Sequence, residues 1–116
     1  MSKCGNEVEL NGEVYVKKEE LNDDDYCIVR TYSAGVFAGY VVKRDGKEVE
    51  MKDARRLWYW DGAASLSQLA MEGTNNPSNC KFPCEVAKVF LTEAIEILPC
   101  TLSAIKSIKG VKVWKQ

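Results

Sequence analysis

Asp45-Gly46 is the pair that most limits what this chain can become. An Asp-Gly step between two alternating runs specifies a tight hairpin, because glycine takes the positive φ that such turns require. Before it, Val36 to Lys43 reads as a strand. After it, Glu48, Glu50 and Lys52 alternate with Val49 and Met51, the pattern of a strand with one wet face. Upstream, Tyr26, Ile28, Arg30 and Tyr32 alternate with Cys27, Val29 and Thr31. Ser33-Ala34-Gly35 supplies a tight link between the first two strands. Residues 26–72 therefore read as three or four strands running into a short helix. Gly39, inside the second strand, predicts a bulge or a close approach of another backbone or a ligand.

The helix signals are local. Ser65 is placed to cap a helix over about 66–72, with Gln68 three positions on in capping-box register and Leu66, Leu69 and Ala70 as its buried stripe. Gly73 is the expected C′ residue. Residues 73–83 form a polar, proline-bearing loop, long enough for a lid or rim. Val86 to Leu98 leans to strand, with a change of register or a bulge around Thr92-Glu93-Ala94. Its 94–98 part also fits a helix. Thr101 opens a second helix over about 102–109, with Leu102, Ile105 and Ile108 inward, and Val111 to Trp114 is a final short strand. The expected fold is α+β: a small, strongly twisted, mostly antiparallel sheet or partial barrel with two short helices. One domain spans 1–116. Residues 1–12 are a loose arm or half of a small hairpin turning at Asn11-Gly12.

Composition narrows the function. The 116 residues are 46% hydrophobic and 28% charged, as in a globular chain with a real core. The formal net charge is -1, so no general field attracts nucleic acid or an anionic membrane. No apolar run approaches the roughly 20 residues of a spanning helix, and no membrane association is expected. Five cysteines without a signal segment imply a reducing interior rather than a disulfide framework. There is no histidine, which removes the commonest general base and metal ligand. Asp23-Asp24-Asp25 lacks the spacing of a calcium loop, and Cys80 and Cys84 lack zinc or redox spacing. Neither a metal nor a cofactor is expected.

One cluster carries chemistry. Arg55 and Arg56 meet Trp58, Tyr59 and Trp60, followed closely by Ser65, Ser67 and Gln68. Such rings stack on bases, guanidinium groups pair with phosphate, and hydroxyls and amides complete a pocket. Strict alternation over 55–60 puts Arg56, Trp58 and Trp60 on one face and Arg55, Leu57 and Tyr59 on the other. The competing reading makes these aromatics core or oligomer contacts, with the arginines paired to carboxylates. No nucleophile–base pair can be assembled from spacing. The C-terminal lysines Lys106, Lys109, Lys112 and Lys115 contrast with an acidic N-terminal quarter, an asymmetry that suits subunit contacts. They are also the only feature in favour of long DNA or RNA, which the overall charge disfavours.

At residues 30–39, 54–60, 62–70 and 91–98 the sequence resembles a family of small uncharacterised proteins encoded by tailed phages and prophages. The resemblance covers roughly residues 26–114 and brings no catalytic role with it. It implies work in the cytoplasm of an infected bacterial host. The resulting expectation is a non-enzymatic, oligomeric binder that sequesters a small nucleotide-like immune signal through the arginine–aromatic cluster. The alternative is a structural or protein-interaction module, a virion accessory or an inhibitor of a host protein, with no small ligand.

Overall fold

The computed structural model describes residues 23–115. The arm at 1–12 lies outside the described residues. The three aspartates form an exposed 3-10 turn, Asp23–Asp25, leading into strand β1, Tyr26–Thr31. Strands β2, Val36–Asp45, and β3, Glu48–Arg56, follow as a hairpin in which Asp45 pairs with Glu48 and Gly46 takes φ 63°. Helix α1 is Leu66–Glu72, β4 is Val86–Leu91, β5 is Ala94–Pro99 and α2 is Leu102–Gly110.

The five strands form one antiparallel sheet in the order β4-β3-β2-β1-β5. Only Thr92 and Glu93 join β4, at one edge, to β5, at the other. A flat sheet of five strands is about 19 Å wide from first to last. Three Cα steps reach about 11 Å at most. The sheet must therefore roll until its edges approach, and two bonds at the seam show that it does. The Ala94 amide donates to the Lys47 carbonyl at 3.0 Å, and the Tyr32 amide donates to the Glu93 carbonyl at 3.0 Å. The break expected near Thr92-Glu93-Ala94 is this crossover, and 94–98 is strand rather than helix. The sheet stops short of a closed barrel.

Rolling gives each inner strand two covered faces. Cys27, Val29, Phe37, Val49, Met51, Ala54 and Leu91 form one buried cluster drawn only from strands, as the lining of a curled sheet must be. Tyr26, Ile28, Ala38, Tyr40 and Leu57 join Leu69, Ala70, Phe82, Ile105 and Ile108 in the second, beneath the two helices. The alternation of β1 separates these clusters as expected, but both faces are buried.

Phase is kept by bulges. Lys52 to Arg55 of β3 faces only Ala38 to Tyr40 of β2, and the extra residue falls at Asp53, which takes φ 48°. Gly39 lies opposite this bulge. A Cβ there would sit 2.6 Å from Ala54 Cα, so the close approach expected at Gly39 is that of the β3 backbone. β3 runs unbroken through the bulge at Asp53 and ends at Arg56, so only the first two residues of the 55–60 stretch belong to it.

Candidate functional site

Beyond Arg56 the chain stays extended and meets two other short ribbons. Tyr59 bridges to Lys81 in antiparallel sense, and Phe82 bridges to Val113 in parallel sense. The expected strand at 111–114 is thus an isolated bridge. The amides of Trp58 and Tyr59 both point at the Lys81 carbonyl, at 3.1 and 3.3 Å, while the Lys81 amide returns to the Tyr59 carbonyl at 2.7 Å. Two residues facing one is a β-bulge. It breaks the alternation expected over 55–60. Leu57 is buried, Trp58 and Tyr59 are adjacent and both outward, and Trp60 is half-buried against the outer core. Trp58 is 63% exposed and Tyr59 46%. Trp58 and Trp60 therefore do not share a surface.

Lys81 projects among the outward rings. Its Nζ lies 5.8 Å from the Tyr59 ring centroid and 5.7 Å from that of Trp114, within cation–π range of both. Trp114 is held there by its amide, which donates to the Phe82 carbonyl at 3.0 Å. Lys81 and Trp114 belong to this surface and fell outside the sequence-derived candidate set. The hint was present: Trp114 stands between Lys112 and Lys115, the same pairing of rings and cations that marked 55–60.

Arg55 is placed differently. It is 3% exposed, and three of its guanidinium nitrogens donate to four backbone carbonyls. Nε reaches Pro83 at 2.9 Å, Nη2 reaches Phe82 at 2.7 Å, and Nη1 reaches Ile108 and Val111 at 3.0 Å each. The guanidinium also lies 5.5 Å from the Phe82 ring centroid. Burial lowers its pKa, and electrostatic attraction from Tyr26 and Glu85 opposes the shift. The ion sits at the C-terminal end of α2, where the helix dipole favours a cation. Arg55 ties three parts of the chain together and does not join the outward aromatics. Arg56 is exposed, donates to the Ala34 carbonyl and lies 4.5 Å from the Phe37 ring centroid.

Ser65 and Gln68 are used by α1. Ser65 Oγ accepts from the Gln68 amide at 3.2 Å, and Gln68 Oε1 accepts from the Ala64 amide at 2.9 Å. This is the expected cap, with the return bond displaced by one residue. Ser67 is exposed on the same short helix. The structure thus brings Trp58 and Tyr59 together and distributes Arg55, Arg56, Trp60, Ser65, Ser67 and Gln68 among other contacts.

The 73–83 loop is tied down. Asp61 accepts from the Gly62 amide at 2.9 Å and from the side-chain amides of Asn76 at 2.9 Å and Asn79 at 2.7 Å. These bonds, that of Asn79 first, hold its carboxyl below the usual aspartate range. The Asp61 carbonyl accepts from Thr74 Oγ1, and Gly62 accepts from the Asn75 amide at 3.1 Å. Buried Cys80 sits inside this knot, with Sγ 3.5 Å from the Asp61 carbonyl. A shallow depression of about 210 Å³ lies elsewhere, between the hairpin and β5, lined by Arg44, Gly46 and residues 94–97. Among the described residues, no group of three or more histidine, cysteine, aspartate or glutamate side chains is placed to hold a metal, and no helix is long and apolar enough to cross a membrane.

Residues 24–108 match the model of a family described as a domain of unknown function, DUF6948. The chain belongs to that family. The match includes the whole rolled sheet, most of α2 and the Trp58–Tyr59 bulge, but it ends before Trp114. No curated protein and no solved structure matches the chain.

Proposed function

We propose that this DUF6948 domain is a non-catalytic interaction module whose working surface is the aromatic face built on the Trp58–Tyr59 bulge. The observation that carries the reading is the exposure of two adjacent large rings. Two large aromatics displayed together have the composition of an interface centre rather than of a solvated surface. A bulge that turns both outward is a structural device, since strict alternation would bury one of them. The resemblance to proteins of tailed phages and prophages supplies the setting: action in the cytoplasm of an infected bacterium, on a host or virion partner. A role without chemistry agrees with the sequence, which offers no histidine and no spaced nucleophile–base pair.

Sequestration of a small nucleotide is a second reading, favoured by one observation. Lys81 between Tyr59 and Trp114 pairs a cation with stacking surfaces. A flat platform would need a second copy of the chain to enclose such a ligand.

The test is a comparison of wild type with a Trp58→Ala, Tyr59→Ala double variant. Immobilised wild-type protein is expected to retain a defined partner from host lysate that the variant loses while its thermal unfolding is unchanged. Equal capture by the two proteins, or none by either, overturns the reading. Calorimetry against cyclic and linear nucleotides at about 100 μM tests the second reading, which fails if no member binds.

A further inference from the structure

The sequence separates two features that the fold joins. One is the aromatic run ending at Trp60. The other is the lysine-rich C-terminal segment. Through the Phe82–Val113 bridge and the Trp114 amide, the segment that carries Lys112, Trp114 and Lys115 lies alongside the ribbon that carries Lys81, and Lys81 pairs with Tyr59. Trp58, Tyr59, Lys81, Lys112 and Lys115 are exposed, and Trp114 is half-buried.

We infer that this face binds single-stranded nucleic acid. The inference deepens the interaction reading by naming the class of partner, and it rests on that same surface. Three aromatic side chains offer stacking faces to successive bases, which are sequence-tolerant because every base has a π-face. Three lysines, Lys81, Lys112 and Lys115, stand on the neighbouring ribbons to meet the phosphates. The ribbons themselves, residues 57–60, 81–84 and 111–115, contain no acid. Two acids, Asp61 and Glu85, flank them and keep their charge, each engaged by other groups. Asp61 is held by Asn76, Asn79 and Gly62. Glu85 exerts its charge on buried Arg55 and Tyr26. Lys81, Lys112 and Lys115 outnumber these two acids, so the local balance is cationic in a chain whose net charge is -1, and that local balance decides a short contact. Lys109 is not part of it, since its Nζ donates to Tyr40 Oη and lies 4.7 Å from the Tyr40 ring centroid.

Open rings fit a strand with unstacked bases. A duplex presents its bases stacked and would need a groove-filling element that this face lacks. An acidic protein segment would satisfy the lysines but would not use several planar faces in a row.

The experiment is a fluorescence titration of the full chain with a single-stranded oligothymidylate of roughly 10 nucleotides, at several salt concentrations. Parallel arms use the same sequence as duplex, thymidine monophosphate and a glutamate-rich peptide of equal charge. The expected result is a dissociation constant of about 10⁻⁴ to 10⁻⁶ M near physiological salt, weakening with a log–log slope of about -2 for three phosphate contacts. Tyr59→Ala and Trp114→Ala should each weaken binding by about 5- to 150-fold. Replacing Lys81, Lys112 and Lys115 together by glutamine should flatten the salt slope. Absence of oligonucleotide binding, equal affinity for the duplex, the mononucleotide or the peptide, or indifference to the ring substitutions would overturn the inference. If the oligonucleotide fails while the Trp58, Tyr59 double variant still loses its captured partner, the interaction reading stands and only the partner class is wrong.

Discussion

Arg55→Lys is the substitution from which most can be learned about how this fold is held. The guanidinium makes four charge-assisted bonds, to carbonyls of Phe82, Pro83, Ile108 and Val111, at 2.7 to 3.0 Å. A lysine keeps the charge but brings a single nitrogen, which cannot span carbonyls arriving from three directions. Each bond to a charged donor contributes about 1.5–3 kcal/mol, and a buried acceptor left unpaired costs about 1–3 kcal/mol. Losing half of the set therefore costs about 3–5 kcal/mol, the range measured when buried charged networks are broken. Total stability of a domain this size is about 5–15 kcal/mol, so the loss is a large fraction of it. The midpoint of thermal unfolding should fall by about 12–20 °C. Urea unfolding followed by circular dichroism measures the difference directly. Arg56→Lys is the control, expected to cost less than about 1 kcal/mol because that residue is exposed. If Arg55→Lys costs no more than the control, the carbonyl network does not hold the fold and the reasoning is wrong.

Three further outcomes follow from local geometry. Gly62→Ala should destabilise more than Gly46→Ala: both glycines have positive φ, but a Cβ at Gly62 would land on the Asn75 and Asn76 amides, whereas at Gly46 it meets open space. Paired chemical denaturation checks the order, with Gly46→Ala costing about 1–2 kcal/mol. Asp61 has a lowered folded-state pKa, so its contribution is present above the unfolded value near pH 4 and is lost as pH falls toward the folded one. An Asp61→Ala variant should be less stable at pH 7 and lose less on acidification below about pH 4, read from denaturation midpoints across pH. Thiol labelling of the native protein should be slow at Cys100, whose pKa burial pushes up to about 12, and fast at exposed Cys84. Cys84→Ser should remove one fast-reacting thiol from the labelling time course.

What the sequence disclosed and what it withheld divide along the range of the interactions. Asp45-Gly46, the Ser65–Gln68 cap, the Gly73 stop and the limits of α2 are decided by residues within a few positions of each other, and all were legible. The break at Thr92-Glu93 was also visible, because the alternating pattern slips there. Its consequence was not: the same two residues bridge opposite sheet edges, a fact of topology that no local pattern encodes. The two covered faces of β1 follow from that rolling. In the candidate site, the alternation rule failed at one bulge, and the bulge depends on Lys81 facing two amides from more than 20 positions away. In the sequence Arg55 fits a ligand contact and a structural role equally, because arginine beside tryptophan is ambiguous. Only the fold brings the carbonyls of Phe82, Pro83, Ile108 and Val111 around it. The composition of the 73–83 loop fits a lid, and the bonds from Asn76 and Asn79 to Asp61 that tie it down span 15 and 18 positions.

The central claim is that Trp58 and Tyr59 are displayed for a partner rather than packed for stability. Thermal and urea unfolding of the Trp58→Ala, Tyr59→Ala double variant tests it most directly. The expected cost is about 1 kcal/mol or less, the cation–π contact of Lys81 with Tyr59 being the main stabilising interaction removed. A loss of about 3 kcal/mol or more, the cost of deleting buried aromatics, would contradict the claim and return these rings to the core.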